Sequence, residues 1–316
     1  MTPSALLTRR IPSSVLASLE SACAVELYDG PTPIPSDVLK SRLQGKQALI
    51  SVLTDRITAE VLESATDLKI VANIAVGYDN IDLAAAKARG IIVTNTPDVL
   101  TEAVAEFTWA LILSAARRLG EAERYVRRGA WKEWKLDFML GTELRGKQLG
   151  IVGRGRIGSA VAAKAPAFGM NVMFATRRAG TGRHERQPDE VSLDELLVSS
   201  DVLSIHTPLT PETRHLIDKR ALARMKRSAI LINTSRGPIV DEAALAWALK
   251  ERLIAAAALD VFEREPEVLP ELFAFENVVL APHLGSATRE TRTAMADLAV
   301  ANVIAVLGGR PPLTSL

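Results

Sequence analysis

The chain has 316 residues, of which 48% are hydrophobic and 24% charged, and its formal net charge is +1. It is long enough for two hydrophobic cores, and so balanced a charge offers no footing for nucleic acid or an acidic membrane surface. Aromatic residues, at 4%, are too few for a base-stacking platform, and a single cysteine, Cys23, leaves no internal disulfide framework and fits a reducing, cytoplasmic location. No apolar run reaches the length of a membrane span. The Arg9-Arg10 start is broken by Ser13, Ser14, Ser18 and Glu20 and does not read as a signal peptide.

Residues 1 to 98 alternate strand and helix. Strands are expected at Leu6–Thr8, Val25–Tyr28, Ala48–Leu53, Ile70–Val76 and Ile91–Thr94. Helices are expected at Pro12–Glu20, at Asp37–Leu43 behind a Ser36 cap, at Thr58–Ser64 and at Ile81–Arg89. Such alternation predicts a parallel sheet with helices on both faces. Residues 101 to 119 follow as one long helical pattern with Thr101 as N-cap, apolar on most sides and therefore buried or shared between subunits. Ala122 to Lys135 adds Trp131 and Trp134 among basic residues, as surface anchors or as contacts to a partner. Six more strands are expected at 149–152, 171–175, 201–206, 229–233, 255–259 and 278–281, with helices between most of them, which is the rhythm of a full doubly wound dinucleotide domain. Ser286 is expected to cap a last helix, 287–307, that packs back on the first domain.

The apolar run Leu149–Val152 leads into Gly153-Arg154-Gly155-Arg156-Ile157-Gly158 and then a helical pattern. This G-x-G-x-x-G spacing suits a dinucleotide. Gly153 permits a tight turn, Gly155 lets the backbone approach the pyrophosphate, and Gly158 lets helix and strand pack closely. An NAD site usually carries Asp or Glu at the end of the next strand, on the ribose 2′-hydroxyl. Here that place reads Ala175-Thr176-Arg177-Arg178, a hydroxyl and two guanidiniums suited to a 2′-phosphate, so NADP(H) is preferred and NAD(H) possible.

Three later segments each bring one chemically loaded residue to a strand end: Arg236 in Asn233–Gly237, Glu263 and Glu265 in Leu259–Pro266, and His283 in Ala281–Gly285. Ligands of open α/β sheets sit outside the carboxyl ends of the strands, so an Arg, a Glu and a His are expected to converge beside a nicotinamide, in a cleft between two lobes.

These segments, together with Val76–Asp82, Asn95–Thr101, the glycine loop and His206–Thr210, resemble the D-isomer-specific 2-hydroxyacid dehydrogenase family, most closely its glyoxylate/hydroxypyruvate reductases. The likeness runs over nearly the whole chain. It implies an α/β fold of two doubly wound parallel-sheet domains: a flavodoxin-like substrate domain, 1–98 plus 286–316, and a Rossmann dinucleotide-binding domain, 99–285. It also implies reduction of a small 2-keto acid to the D-2-hydroxy acid, without a metal, by a homodimer. His283 would be the general acid, Glu265 rather than Glu263 would orient the imidazole and favour its charged form, and Arg236 would grip the substrate carboxylate in a bidentate contact.

Backbone amides of Val76 and Gly77 would help hold that carboxylate, and Leu53 would help shape the pocket. Trp134 (with Trp131 as alternative) would cap the pocket from a neighbouring subunit. Asp260 would face the nicotinamide side of the cofactor. Further cofactor contacts implied are Thr101, Arg154, Arg156 and Ile157, then His206, Thr207 and Pro208, and finally Thr234 and Gly285.

Glutamate at position 265 argues against a formate dehydrogenase type, which would want glutamine there. The long phosphoglycerate dehydrogenase type would carry an added C-terminal domain, and the D-lactate type an acid where Thr176-Arg177-Arg178 stands. Two alternatives stay open: a family member with a larger substrate, and an NAD(P)-sensing, corepressor-like binding protein on the same fold.

Overall fold

The computed structural model describes residues 2–176, 187 and 189–316, and the chain divides into two compact units, Met1–Leu100 with Thr288–Leu316, and Thr101–Ala287. Arg177 and Arg178 lie outside the described residues.

The first unit runs β1 (Ser4–Leu7), α1 (Ser13–Glu20), β2 (Ala24–Leu27), α2 (Ser36–Arg42), β3 (Ala48–Ser51), α3 (Ala59–Ser64), β4 (Ile70–Asn73), α4 (Leu83–Ala88) and β5 (Ile92–Thr94). Its five strands are all parallel, in the order β2-β1-β3-β4-β5, the flavodoxin-like arrangement. β3 and β4 are buried along their whole length, which is why they read as apolar runs rather than alternations. Ser36 does not cap α2. It is the first helical residue, behind Pro35, and makes no side-chain cap bond; a proline before the helix start favours the extended backbone that sets the entry angle. Asp82, rather than Ile81, opens α4, its carboxylate accepting from Ala85 N.

The second unit begins with α5 (Thr101–Ala116) and α6 (Leu119–Arg127). The long helical pattern therefore stops short: Arg118 takes a left-handed backbone (φ 52°) that ends one helix and starts another, and Thr101 is already helical rather than a cap. The apolar surface of α5 is used inside its own unit. Trp109 stacks on Phe168 with centroids 4.3 Å apart and donates through Nε1 to Val161 O. The exposed apolar surface lies instead on the following stretch, where Leu119, Val126, Trp131, Trp134 and Leu136 face solvent, the last two 74% and 80% exposed.

The sheet then forms from β6 (Gln148–Val152), α7 (Arg156–Lys164), β7 (Asn171–Ala175), α8 (Leu193–Ser199), β8 (Val202–Ile205), α9 (Lys219–Arg224), β9 (Ile230–Asn233), α10 (Glu242–Lys250), β10 (Ala256–Leu259) and β11 (Val278–Leu280). The order is β11-β10-β9-β8-β6-β7, with every pairing parallel. A single parallel bridge, Phe174 with Glu190, sits on the free edge of β7 and stands where a Rossmann sheet has its third strand. The order in which strands are added reverses between β6 and β8, the switch point at which dinucleotides bind in such sheets.

The chain returns to the first unit with α11 (Arg289–Leu307), which packs on α1, β3 and β4. Its cap is Thr288, whose hydroxyl accepts from Thr291 N, and not Ser286, which lies two residues upstream, before the extended backbone that precedes the helix. Asn302, fully buried on α11, accepts from Leu313 N and Thr314 N and so holds the C-terminal segment.

One titratable ring is half-buried at the end of β8. His206 Nε2 lies 2.8 Å from Ser204 Oγ, and burial pushes the imidazole from its ordinary 6.5 down to about 3. An unfolded chain therefore takes up a proton, between about pH 6.5 and 3, that the folded chain refuses. Stability from the neutral ring is complete above that window and falls as the pH drops through it. The urea midpoint of the protein should fall more steeply from pH 7 to pH 5 than that of His206→Asn; parallel declines would show that His206 contributes nothing to acid lability.

Candidate active site

Parallel pairing aligns the carboxyl ends of five strands. Val152 is opposite Ile205, Ile205 opposite Asn233, Asn233 opposite Leu259, and Leu259 opposite Leu280. Every candidate residue of this unit's later segments leaves from that row. Arg236 lies three positions beyond it (236 − 233), His283 three (283 − 280) and Glu265 six (265 − 259).

At the first of these ends, Gly153 has φ +101°, a conformation L side chains rarely adopt, and a Cβ there would stand 2.6 Å from His206 O. Its amide donates to Ala175 O, tying the turn to β7. A Cβ on Gly158 would meet Gly153 O at 2.1 Å, so α7 crosses the strand as closely as backbone allows. Gly155 is different: a Cβ there would meet nothing within 4 Å. It is the N-cap of a nine-residue helix and supplies no capping side chain, so the positive end of the α7 dipole lies beside that open space. That bare cradle fits the diphosphate of a dinucleotide. Arg154 stands at its rim, 4.5 Å above the Phe174 ring, with Nη1 2.7 Å from Asp189 Oδ1. Ile157 is half-buried against the core.

Opposite the cradle, Thr207 O accepts from Ser235 Oγ, and Pro208 O from Thr213 Oγ1 at 2.7 Å. Thr234 Oγ1 lies 3.0 Å from Thr108 Oγ1 on α5. Asn233 shapes the Arg236 turn from both sides: its Oδ1 accepts from Ser235 N and its Nδ2 donates to Arg236 O. Arg236 itself is partly exposed, with Nη1 donating to Ser235 O at 2.8 Å.

His283 and Glu265 meet directly, Nδ1 to Oε2 at 2.8 Å, with each side chain about three-quarters covered. Glu265 Oε1 accepts from Phe262 N. Glu263, the competing acid, points elsewhere: its Oε1 accepts from Glu242 N and lies 3.3 Å from His215 Nε2. His283 is held in a left-handed backbone (φ 56°), a strained place for a ring-bearing residue. Asp260 pins that turn. Its carbonyl accepts from His283 N, and its two carboxylate oxygens accept from Leu284 N and Gly285 N. A Cβ on Gly285 would be squeezed to 3.2 Å from Asp260 Oδ2. Burial pushes the Asp260 carboxyl above its ordinary range, opposed by those two amides. Its observed partners are thus His283 and the two residues that follow it.

In the first unit, three successive peptides after β4 have their carbonyls tied back. Thr96 N donates to Ala75 O, Asn95 Nδ2 to Val76 O, and Asn73 Nδ2 to Gly77 O. In a trans peptide N–H and C=O point opposite ways, so the amides of Val76, Gly77 and Tyr78 are turned to the other side. Leu53, half-buried, sits in a turn closed by Asp55, whose Oδ2 accepts from Val52 N, and by Asn80, whose Nδ2 donates to Val52 O and Asp55 O. Asn73, Glu242 and His215 lie outside the sequence motifs, and Asn95 and Asn233 lie within them without an assigned role; Asn95, Glu242 and His215 join segments distant in sequence, whereas Asn73 and Asn233 shape their own turns.

The D-isomer specific 2-hydroxyacid dehydrogenase NAD binding domain model matches residues 109–285. A glyoxylate reductase of Aeropyrum pernix is 52% identical over 317 residues, covering 98% of this chain and 94% of that protein. A solved NADPH-dependent glyoxylate/hydroxypyruvate reductase from Sinorhizobium meliloti, in complex with NADP and malonate, has a TM-score of 0.89 and 35% identity and covers 100% of this chain and 97% of that one. A solved glyoxylate reductase from Paecilomyes thermophila has a TM-score of 0.88 at 32% identity, covering 100% and 98%. With this likeness extending from end to end in both sequence and fold, the chain belongs to the D-isomer-specific 2-hydroxyacid dehydrogenases, a family of nicotinamide-dependent oxidoreductases.

Proposed function

We propose that the protein reduces a small 2-keto acid of the glyoxylate or hydroxypyruvate type to the D-2-hydroxy acid, using NADPH in preference to NADH, with His283 as the proton donor. The observation that carries this is the His283–Glu265 pair, 2.8 Å apart and three to six residues beyond the strand row that also ends in the bare glycine cradle.

The amides of α7 at Arg156 and Ile157 would hold the diphosphate, with Gly153, Gly155 and Gly158 keeping side chains out of its way. The reduced dinucleotide, when bound, supplies a hydride equivalent to the keto carbon. His283 then gives the proton to the keto oxygen, so one hydride and one proton complete the hydroxy acid. Because Glu265 occupies Nδ1, Nε2 is the nitrogen left to carry that proton. Arg236, held by Asn233, would pair with the substrate carboxylate; Leu53 and the Val76 and Gly77 amides of the first unit are separately proposed as substrate contacts. Asp260 would serve by holding the His283 turn.

The cofactor preference rests on the absence of an acid directly after β7, where Thr176, Arg177 and Arg178 stand, and on the NADP named with the Sinorhizobium meliloti relative. NADH remains usable on this reading. Thr101, Arg154, Thr207, Pro208, Thr234 and Gly285 are proposed cofactor neighbours. A cytoplasmic homodimer completes the reading: Cys23 is a buried free thiol, among the described residues no helix is long and apolar enough to cross a membrane, and the α6–Leu140 stretch exposes Val126, Trp131, Trp134 and Leu136. Trp134 would reach the partner's pocket.

Three experiments test this. With glyoxylate and hydroxypyruvate, His283→Gln should lower kcat by at least about a hundredfold, the ordinary worth of a general acid, while dinucleotide affinity stays within twofold; a near-normal kcat removes His283 from the chemistry. Arg177→Asp should weaken NADPH by about tenfold or more, one charge-assisted contact, and leave NADH unchanged; equal losses for both cofactors refute the 2′-phosphate reading. Sedimentation should give twice the chain mass of 34.1 kDa, and Leu136→Asp with Val126→Asp should halve it; a wild-type monomer at micromolar concentration rejects the dimer.

A further inference from the structure

The loop that carries Glu265 is gripped from below by a second, unannounced acid. Glu242, the first residue of α10, is only 7% exposed. Its Oε1 accepts from Glu263 N at 2.6 Å, while its own amide donates to Glu263 Oε1 at 2.9 Å. The same carboxylate also accepts from the backbone amide of Leu269. One side chain thus holds the loop at 263 and at 269, and Glu265 lies between the two grips.

The neighbouring turn is locked to the same place. A Cβ on Gly237, the residue after Arg236, would lie 1.9 Å from the carbonyl carbon of Phe262, so the Arg236 turn and the Glu265 loop touch backbone to backbone. Phe262 N is already committed to Glu265 Oε1. His215, in a left-handed backbone (φ 51°), donates its amide to Pro238 O and brings Nε2 to 3.3 Å from Glu263 Oε1, close but off the line of a hydrogen bond.

Capping does not explain Glu242. Asp241 already caps α10, its Oδ1 accepting from Ala244 N. The acid is also in an unfavourable place: burial above all, and the nearby Glu263 and Glu265 charges, push its carboxyl above the ordinary range against the pull of the two amides. A buried acid kept beside two others, with helix capping supplied elsewhere, is the local rule-breaking that accompanies functional sites.

We propose that Glu242 is a positioning residue whose carboxylate clasps the 263–269 loop and thereby fixes Glu265 against His283 Nδ1. The proposal rests on the reading of His283 as proton donor, but its effect on the imidazole is measurable without turnover. Glu265 holds the neutral ring as the Nδ1–H tautomer, and slack in the loop releases it to a mixture.

The test is the ¹⁵N spectrum of histidine-labelled protein at alkaline pH, with only four histidines to assign and His283 identified from His283→Gln. Glu242→Ala should turn a dominant Nδ1–H tautomer of His283 into a near-even mixture and lower kcat about tenfold, with KM for the dinucleotide unchanged. Glu242→Gln, which keeps an acceptor oxygen for Glu263 N, should retain more than half of the tautomer preference and lose only two- to fivefold in kcat. A wild-type tautomer in Glu242→Ala overturns the proposal, as does a Gln variant as damaged as the Ala variant. If Glu242→Ala fails to fold, a Gln variant identical to wild type in tautomer and kcat overturns it too, and the predicted partial loss supports it. If instead no His283 variant alters turnover, the proton-donor reading falls while the tautomer result still decides the clasp.

Discussion

The backbone register across Val152, Ile205, Asn233, Leu259 and Leu280 is the constraint on which the second unit's chemistry depends. Parallel hydrogen bonding sets five strand ends level, and each chain segment then spends a fixed number of residues before its functional group. A slip of one residue in β9 or β10 would exchange the side chains packed on its two faces and displace Arg236 or Glu265 by a full strand step. The strands are short, three to five residues each; four are fully or nearly buried, and the edge strand β11 is buried at Val278. Burial on both faces makes such a slip costly, so the precision of the site comes from the apolar core beneath it rather than from the loops themselves.

Around that row the buried polar groups fall into two kinds. His206 is desolvated with one hydroxyl neighbour and is kept neutral. Asp260 and Glu242 are desolvated too, yet each accepts two backbone amides, and each uses them to fasten a turn that bears a functional side chain. An amide donor satisfies a carboxylate at short range without bringing in a competing positive charge. The strained left-handed backbone of His283 is tolerated because Asp260 fastens its amide and the two residues after it.

The first unit applies the same device with neutral side chains. Asn73, Asn80 and Asn95 hold the turns after β3 and β4 by their carbonyls. Asparagine carries both donor and acceptor without a charge to desolvate, which suits a turn whose carbonyls need partners.

Much of this was legible in the residues alone. The apolar runs from Ala48 and Ile70, and those from Leu149 to Val278, announce parallel strands because burial on both faces demands apolar side chains at consecutive positions. The glycine spacing announces the cradle because only an absent Cβ permits the approaches at Gly153 and Gly158. The choice between Glu263 and Glu265 could be argued from family likeness, and the 2.8 Å contact with His283 agrees with it. Helix ends were misread at Ser36, Arg118 and Ser286, where several cap-competent or helix-tolerant residues compete and packing selects among them. The apolarity of α5 was readable, but not whether it served its own core, and the solvent-facing tryptophans belong to the stretch after it. What only the tertiary structure decided is the set of contacts between backbone and remote side chain, Glu242 on Glu263 and Leu269, Asn95 on Val76, Asp260 on Gly285. A backbone amide looks the same at every position in a sequence, so which one a given carboxylate or carboxamide will reach is fixed only when the strands are laid side by side.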